Sequence, residues 1–137
     1  EPFEGAGQTY SAKLVVPDMA PDVKVSAQIP DNQAHIYRLS GDYNPLHIDP
    51  EAAKFGGFDE PILHGLCTFG HCGQMLLAAL CDSDASRFKK IKVRFSSPVF
   101  MNDQLDVLAW NDGPGRVLFE ARVGEKVVVN NAYFEYS

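Results

Sequence analysis

No apolar run in this 137-residue chain is long enough to cross a bilayer, and no secretory signal opens it, so no membrane is expected among its partners. Basic charge is scarce. Twelve Lys and Arg against 18 Asp and Glu give a net charge of −6. That is the wrong sign for a main surface that grips nucleic acid, although a local basic patch remains open to a phosphorylated ligand. Only three cysteines occur, Cys67, Cys72 and Cys81, all in one apolar segment without Cys-x-x-Cys spacing. They read as buried free thiols of a reducing compartment, not as disulfides or metal ligands. Repeats and low-complexity tracts are lacking. The chain starts at Glu1 and not at Met, which suggests an excised or processed piece, and its ending Phe134-Glu135-Tyr136-Ser137 carries no peroxisomal Ser-Lys-Leu address.

What is present suffices for one domain with a core, since 45% of the residues are hydrophobic. Residues 1–8, polar and glycine-bearing, read as a lead-in, and residues 9–137 as a single domain. Alternation and β-branched residues point to strands over 9–16 and 23–29. Asp31 is positioned to cap a short helix over 32–39, with Ala34, Tyr37 and Ile36 turned inward. Pro50 opens a second short helix over 51–54 that Gly56 and Gly57 end, and Asp49 reads as its cap. Residues 66–81 are apolar nearly all round, which predicts a helix buried on most sides. Gly70 and Gly73 share one face of it, for close packing or for a ligand. Strand-like runs follow over 91–100, 104–110, 116–123 and 127–136, separated by Gly- and Asn-rich turns. Consecutive strands on short turns imply an antiparallel meander. One buried helix on such a sheet is an α+β layer arrangement.

The most informative stretch is Tyr37-Arg38-Leu39-Ser40-Gly41-Asp42-Tyr43-Asn44-Pro45-Leu46-His47-Ile48-Asp49-Pro50. Gly41 and Pro45 bend it into a shaped loop. Asp42 accepts hydrogen bonds, Asn44 does both kinds of hydrogen bonding, and His47 exchanges a proton near neutral pH. Three such groups pointing one way can hold and polarise a single water. A plain turn is the competing reading of any Asp-x-Asn-Pro run. A second stretch, Gly57-Phe58-Asp59-Glu60-Pro61-Ile62-Leu63-His64-Gly65-Leu66, leads directly into the long apolar segment. His64-Gly65 therefore stands where a helix begins and free backbone N–H groups are presented. His64 and His71, seven residues apart without a carboxylate partner, make a weak zinc site, and no metal is expected. His35 reads as a surface residue.

Together these two stretches resemble the signature of the MaoC-like hydratases, more narrowly the (R)-specific 2-enoyl-CoA hydratase, or hydratase 2, of peroxisomal multifunctional β-oxidation enzymes. The likeness continues through Ser86-Arg87-Phe88, Lys92-Val93-Arg94-Phe95 and Asn131-Ala132-Tyr133. It implies a hotdog fold, an antiparallel sheet wrapped around one long helix, with a loop and short-helix overhang carrying the active site. It also implies Asp42 and His47 as the catalytic acid–base pair, Asn44 as a holder of the water and the Gly65 N–H as oxyanion donor. The substrate would be an acyl-CoA thioester, with no metal or redox cofactor. Arg87, Lys90, Lys92 and Arg94 cluster near one strand and are candidates for the CoA phosphates, a solvated strand face being the alternative. Alternation sends Lys90, Lys92 and Arg94 to one face. The resemblance further implies pairing with a second hotdog domain or with a second copy. Location follows as peroxisomal in a eukaryote and otherwise cytoplasmic. A dehydratase of fatty acid or polyketide synthesis shares this chemistry in reverse. A hotdog thioesterase would lack the Asp42-x-Asn44-x-x-His47 loop, and a non-catalytic partner domain would lack the Asp/His pair.

Overall fold

The computed structural model describes residues 13–137. The expected lead-in, 1–8, and half of the expected strand at 9–16 lie outside them. Residues 13–16, which are described, form no strand. Instead the Leu14 N–H donates to the Asn131 side chain, 2.8 Å away.

The elements run β1 (Val23–Gln28), α1 (Gln33–Tyr37), α2 (Pro50–Phe55), α3 (Gly65–Cys81), β2 (Phe88–Phe95), β3 (Gln104–Asn111), β4 (Arg116–Val123) and β5 (Lys126–Tyr136). Short 3-10 turns at Arg38–Ser40, Pro45–His47 and Ala85–Arg87 link them. The five strands form one antiparallel sheet in the order β1-β3-β4-β5-β2. The meander expected from the sequence is therefore confined to β3, β4 and β5. β2 pairs with the last strand and not with the next one, which leaves β1 and β2 at the two edges. Among the described residues no helix is long and apolar enough to cross a membrane.

Strand residues alternate as the pleat demands. Val117, Phe119 and Ala121 of β4 are buried with Val107 of β3, Val129 and Phe134 of β5, and Leu76 and Cys72 of α3. Each large side chain buried this way contributes about 1.5–3 kcal/mol. This is the hotdog arrangement, with α3 as the filling. Its covering is one-sided, however. Cys67, Thr68, Cys72, Leu76 and Cys81 are buried, while Leu66 is 64% exposed and Gly70 and Gln74 are open. The expectation of burial on most sides fails because this sheet reaches only one face of the helix. Gly70 and Gly73 are likewise not points of close approach: a Cβ at Gly70 would meet nothing within 4 Å, and one at Gly73 only Ile91 Cδ1 at 3.7 Å.

Two local expectations shift. Asn32, not Asp31, is the residue before α1, and no side chain caps that helix. Ile36 faces solvent while Ala34 is buried. β2 begins at Phe88, earlier than the run at 91–100, because backbone pairing with β5 carries the charged Lys89-Lys90 pair into the sheet. It stops at Phe95, before the Ser97-Pro98 corner.

Candidate active site

Everything between β1 and α3 is overhang: α1, two 3-10 turns and α2, laid at one end of the sheet. Its geometry follows from small capping bonds. The 3-10 turn after α1 ends at Gly41, whose φ of 110° a side chain would strain. Asp42 Oδ1 then accepts from the Asn44 N–H at 3.2 Å, and Asn44 Oδ1 accepts from the Leu46 N–H at 3.1 Å. Asn44 thus caps the turn that carries His47. Its carboxamide oxygen is committed, and its NH2 stays available as a donor. Asp49 caps α2 by accepting from the Glu51 N–H at 2.9 Å, as the sequence suggested. Arg38 braces the loop from outside, its guanidinium 5.2 Å above the Tyr43 ring.

His47 is buried, and its Nδ1 lies 2.7 Å from the Ile62 carbonyl oxygen. Only an N–H can make that bond, so Nδ1 carries a proton, and in the neutral ring the lone pair is the one on Nε2. Ile62 and Leu63 are themselves tied to the segment after β2, by the Ile62–Phe100 bridge and by the Leu63 N–H donating to Val99 O at 2.7 Å. The imidazole is therefore referenced to the sheet and not only to its own loop.

One member of the site was set aside in the sequence as half of a weak zinc pair. His64, 1% exposed, stacks on His47 with ring centroids 3.8 Å apart and an interplanar angle of 28°. Its Nε2–H donates to the Asp42 carbonyl oxygen at 3.2 Å, and its Nδ1 is buried without a hydrogen-bond partner. Tyr37 leans on its other side at 4.7 Å. Burial pushes the His64 imidazole below its ordinary value of 6.5, partly offset by the bond to Asp42. His64 thus joins the Asp42 loop, the His47 imidazole and the start of α3. A polar residue inside the apolar run Ile62-Leu63-His64 was the available signal. His71 belongs to no group of three or more ligand-type side chains among the described residues. One ligand-type atom each of Asp42, His47 and His64 falls within 4.8 Å of the others, the one such cluster among the described residues. That spacing suits a shared water or cation. His71 lies half-buried along α3, beside Gly70 and Gln74.

Gly65 is the first residue of α3, and no side chain caps that helix. Its N–H belongs to the unsatisfied first turn, where the helix field favours negative charge. Gly65 and His47 line the same cavity, about 260 Å³, whose other walls include Phe58, Ile62, Thr68, Phe95 and Pro98. It is an apolar pocket with a proton-transfer group on one side and a backbone donor on another. Asp42, with an exposed side chain, stands beside it.

The basic candidates lie elsewhere. Lys90 sits 5.7 Å over the Tyr133 ring, on the sheet face turned away from α3. Arg94 borders an outer cleft with Glu120, Asn130 and Asn131. Arg87 donates from Nε to Ser137 O at 2.6 Å. Neither these three nor Lys92 lines the cavity shared by His47 and Gly65. The register of β2 against β5 is irregular between Phe88 and Lys90 and between Lys92 and Arg94.

A five-stranded antiparallel sheet around one helix, with an acid and an imidazole mounted over an apolar pocket at its end, defines a hotdog domain equipped for proton-transfer chemistry. Residues 13–132 match the family described as MaoC like domain, and the chain belongs to that family. It is 48% identical over 130 residues to peroxisomal multifunctional enzyme type 2 of Mus musculus, covering 93% of this chain and 18% of that protein. It is 46% identical over 106 residues to a probable enoyl-CoA hydratase 2 of Dictyostelium discoideum, covering 77% of this chain and 36% of the relative. The crystal structure of a MaoC-like dehydratase from Phytophthora capsici superposes with a TM-score of 0.90 at 45% identity, over 96% of this chain and 47% of that one. The chain thus spans less than half the length of these relatives.

Proposed function

We propose that this chain is the catalytic hotdog half of an (R)-specific 2-enoyl-CoA hydratase of fatty acid β-oxidation, converting trans-2-enoyl-CoA and water to (3R)-3-hydroxyacyl-CoA. The observation that carries the reading is the tautomer of His47, fixed by Ile62 O at 2.7 Å, in the same cavity as Gly65. A ligand-type atom of His47 and a carboxylate oxygen of Asp42 lie within 4.8 Å of each other, close enough for the two side chains to share one water. The water's hydroxyl adds to C3, and the pair delivers its proton to C2 on the same face. Meanwhile the Gly65 N–H takes the charge that builds on the thioester oxygen, an interaction whose loss typically costs about 3–4 kcal/mol of barrier. Asp42 and His47 act as a coupled acid–base unit, and the Asn44 NH2 helps to hold the water. No bond change in this reaction calls for a metal or redox cofactor.

The relatives' names support the thioester substrate and, through the mouse enzyme, a peroxisomal location in a eukaryote. The CoA phosphates, at the far end of a flexible arm, fall to Arg87, Lys90, Lys92 and Arg94. Their strand is a sheet edge, so a ligand can pass around it from the pocket to the outer face. A second hotdog domain, another copy or a companion, covers the open side of α3 around Leu66. The dehydration of 3-hydroxyacyl thioesters is the same reaction reversed, and the likeness to the Phytophthora dehydratase favours keeping it as the second reading.

The test is turnover of trans-2-enoyl-CoA by the purified protein, followed by loss of the conjugated-enoyl absorbance and by chiral resolution of the product. An (R)-3-hydroxyacyl product supports the proposal. Release of free CoA identifies a thioesterase. An (S) product, or none from a paired and folded protein, overturns it.

A further inference from the structure

No step of the proposed hydration uses His64, yet the residue is only 1% exposed and its backbone is fixed on both sides. The Leu63 N–H before it donates to Val99 O at 2.7 Å. Its own carbonyl accepts from the Cys67 and Thr68 N–H groups, at 3.0 and 3.2 Å, in the first turn of α3. From this stem the imidazole reaches a loop 22 residues earlier in the chain, where its Nε2–H donates to Asp42 O at 3.2 Å. The ring also lies on His47, with centroids 3.8 Å apart and planes 28° apart, and Tyr37 packs beside it at 4.7 Å. His64 is not on the wall of the cavity that His47 and Gly65 line.

We infer that His64 is a positioning residue, a neutral imidazole that ties both the Asp42 loop and the plane of the His47 ring to the start of α3. The inference rests on the proposed acid–base pair and adds what keeps the two groups in register. Ile62 O holds His47 at one atom, Nδ1, and a ring held at one atom can still turn about that hydrogen bond. Stacking on His64 removes this freedom. The same side chain grips the Asp42 backbone from inside the fold, while Arg38 reaches the loop from outside, from Nη2 to Tyr43 O at 3.5 Å. The neutrality of His64 follows from its contacts. Its Nε2–H is committed to Asp42, so a second proton would have to sit on Nδ1, which is buried without a partner. It would also put a charge against the His47 ring, which takes up a proton in turnover. Asp42, His47 and Arg38 are the charged or titratable groups acting on His64, with the Tyr37 ring beside it. Of the two stacked imidazoles, His47 alone exchanges protons and His64 is its mount.

The experiment compares the protein with two variants that split the contacts. His64→Gln keeps an N–H donor for Asp42 O without a ring, and His64→Phe keeps a ring without a donor. A displacement of about 1 Å can cost about 100-fold in rate, so each variant should lower kcat for trans-2-enoyl-CoA by about 10- to 100-fold while KM moves less than about 3-fold. Wild-type kcat in both variants, or a change confined to KM, overturns the inference. NMR reads the same arrangement without substrate. The long-range 1H–15N spectrum of the wild type at neutral pH should show opposite tautomers, Nδ1–H for His47 and Nε2–H for His64. A charged His64, or one protonated at Nδ1, overturns the inference even if neither variant folds. The His47 Nδ1–H should also exchange with water faster in His64→Gln than in the wild type, and equal rates count against the mount. If the wild type hydrates nothing, the proposed function falls, and the tautomers and exchange rates still decide whether His64 seats His47.

Discussion

Replacing Asp42 separates chemistry from structure more cleanly than any other change in this chain. Its carboxylate has one structural duty, the 3.2 Å bond that Oδ1 accepts from the Asn44 N–H. In Asp42→Asn the amide oxygen can accept the same bond, so the turn ahead of His47 is kept and the melting temperature should stay within a degree or two. In Asp42→Ala that bond is lost, and because the site is exposed the cost is under about 1 kcal/mol. Neither variant disturbs His47, which Ile62 O holds from the opposite side, nor the carbonyl of Asp42 that His64 grips. Both variants lose the proton-accepting carboxylate. A positioned general acid or base supplies about 10²–10⁴ in rate, or roughly 3–5 kcal/mol of barrier. Turnover of an enoyl-CoA thioester by the two variants should therefore fall by a similar large factor, while their thermal melts differ slightly. If Asp42→Asn keeps more than a tenth of wild-type kcat, the carboxylate is not part of the proton relay. If Asp42→Ala is far slower than Asp42→Asn, the loop geometry and not the charge is what matters.

Three further outcomes follow from the same geometry. His47→Ala should abolish turnover and also lower stability by about 1–3 kcal/mol, because the carbonyl of Ile62 loses its donor beneath a buried ring; a chemical denaturation curve that does not shift would contradict that hydrogen bond. The His64 imidazole is held below 6.5 by burial, so acid protonates the unfolded chain first: His64's share of stability is intact above pH 6.5 and is lost as pH falls toward its depressed folded value. A pH series of melts should show this decline in the wild type and a flatter one in His64→Gln, with burial of His71 leaving a residual slope of the same sign; equal slopes would show that His64 is not held neutral. Burial raises all three thiols, Cys72 to about 12, so maleimide at pH 7.5 should label the native protein slowly and label three sites after unfolding. Fast labelling of the folded form would mean that the α3 face is not packed as described.

The chain's sequence made the sheet legible wherever one side of a strand meets the core and the other meets water. β4 matches its sequence limits for that reason: Arg116-Val117-Leu118-Phe119 alternates cleanly, and glycines stand at both ends. β2 was harder, because at an edge strand Phe88 and Lys90 gain cross-strand partners while Lys89 falls in a register irregularity, all three with exposed side chains, so the pattern carries no mark of the strand's start. Residues 66–81 misled in the other direction. An all-round apolar helix implies burial on all sides, and nothing in the residues says that one side awaits another sheet. In the site, Asp42, His47, His64 and Gly65 were all visible as motif residues, but the place of His64 beside His47 was not, since it comes from stacking across the fold and not from spacing along the chain. The outward placement of Lys90 and Arg94 depends on cross-strand register, which a charge run does not encode.

The strand order has a bearing on how the molecule is assembled as it is made. β1 pairs with β3, so Ser26 finds its partner Asp106 across 80 positions, and residues 29–103, which include the whole acid–imidazole loop and α3, lie between the two strands. β2 has to wait for β5, which ends at Tyr136. Only the hairpins β3–β4 and β4–β5 close locally, and these should lead, because long loops must be closed before distant contacts repay them. During synthesis the Asp42–His47 loop and the apolar helix thus emerge before β3, β4 and β5, on which they are seated. The ribosome delivers the candidate site before most of the sheet that holds it. A nascent chain of this kind should keep α3 exposed to chaperones until its last strand is released.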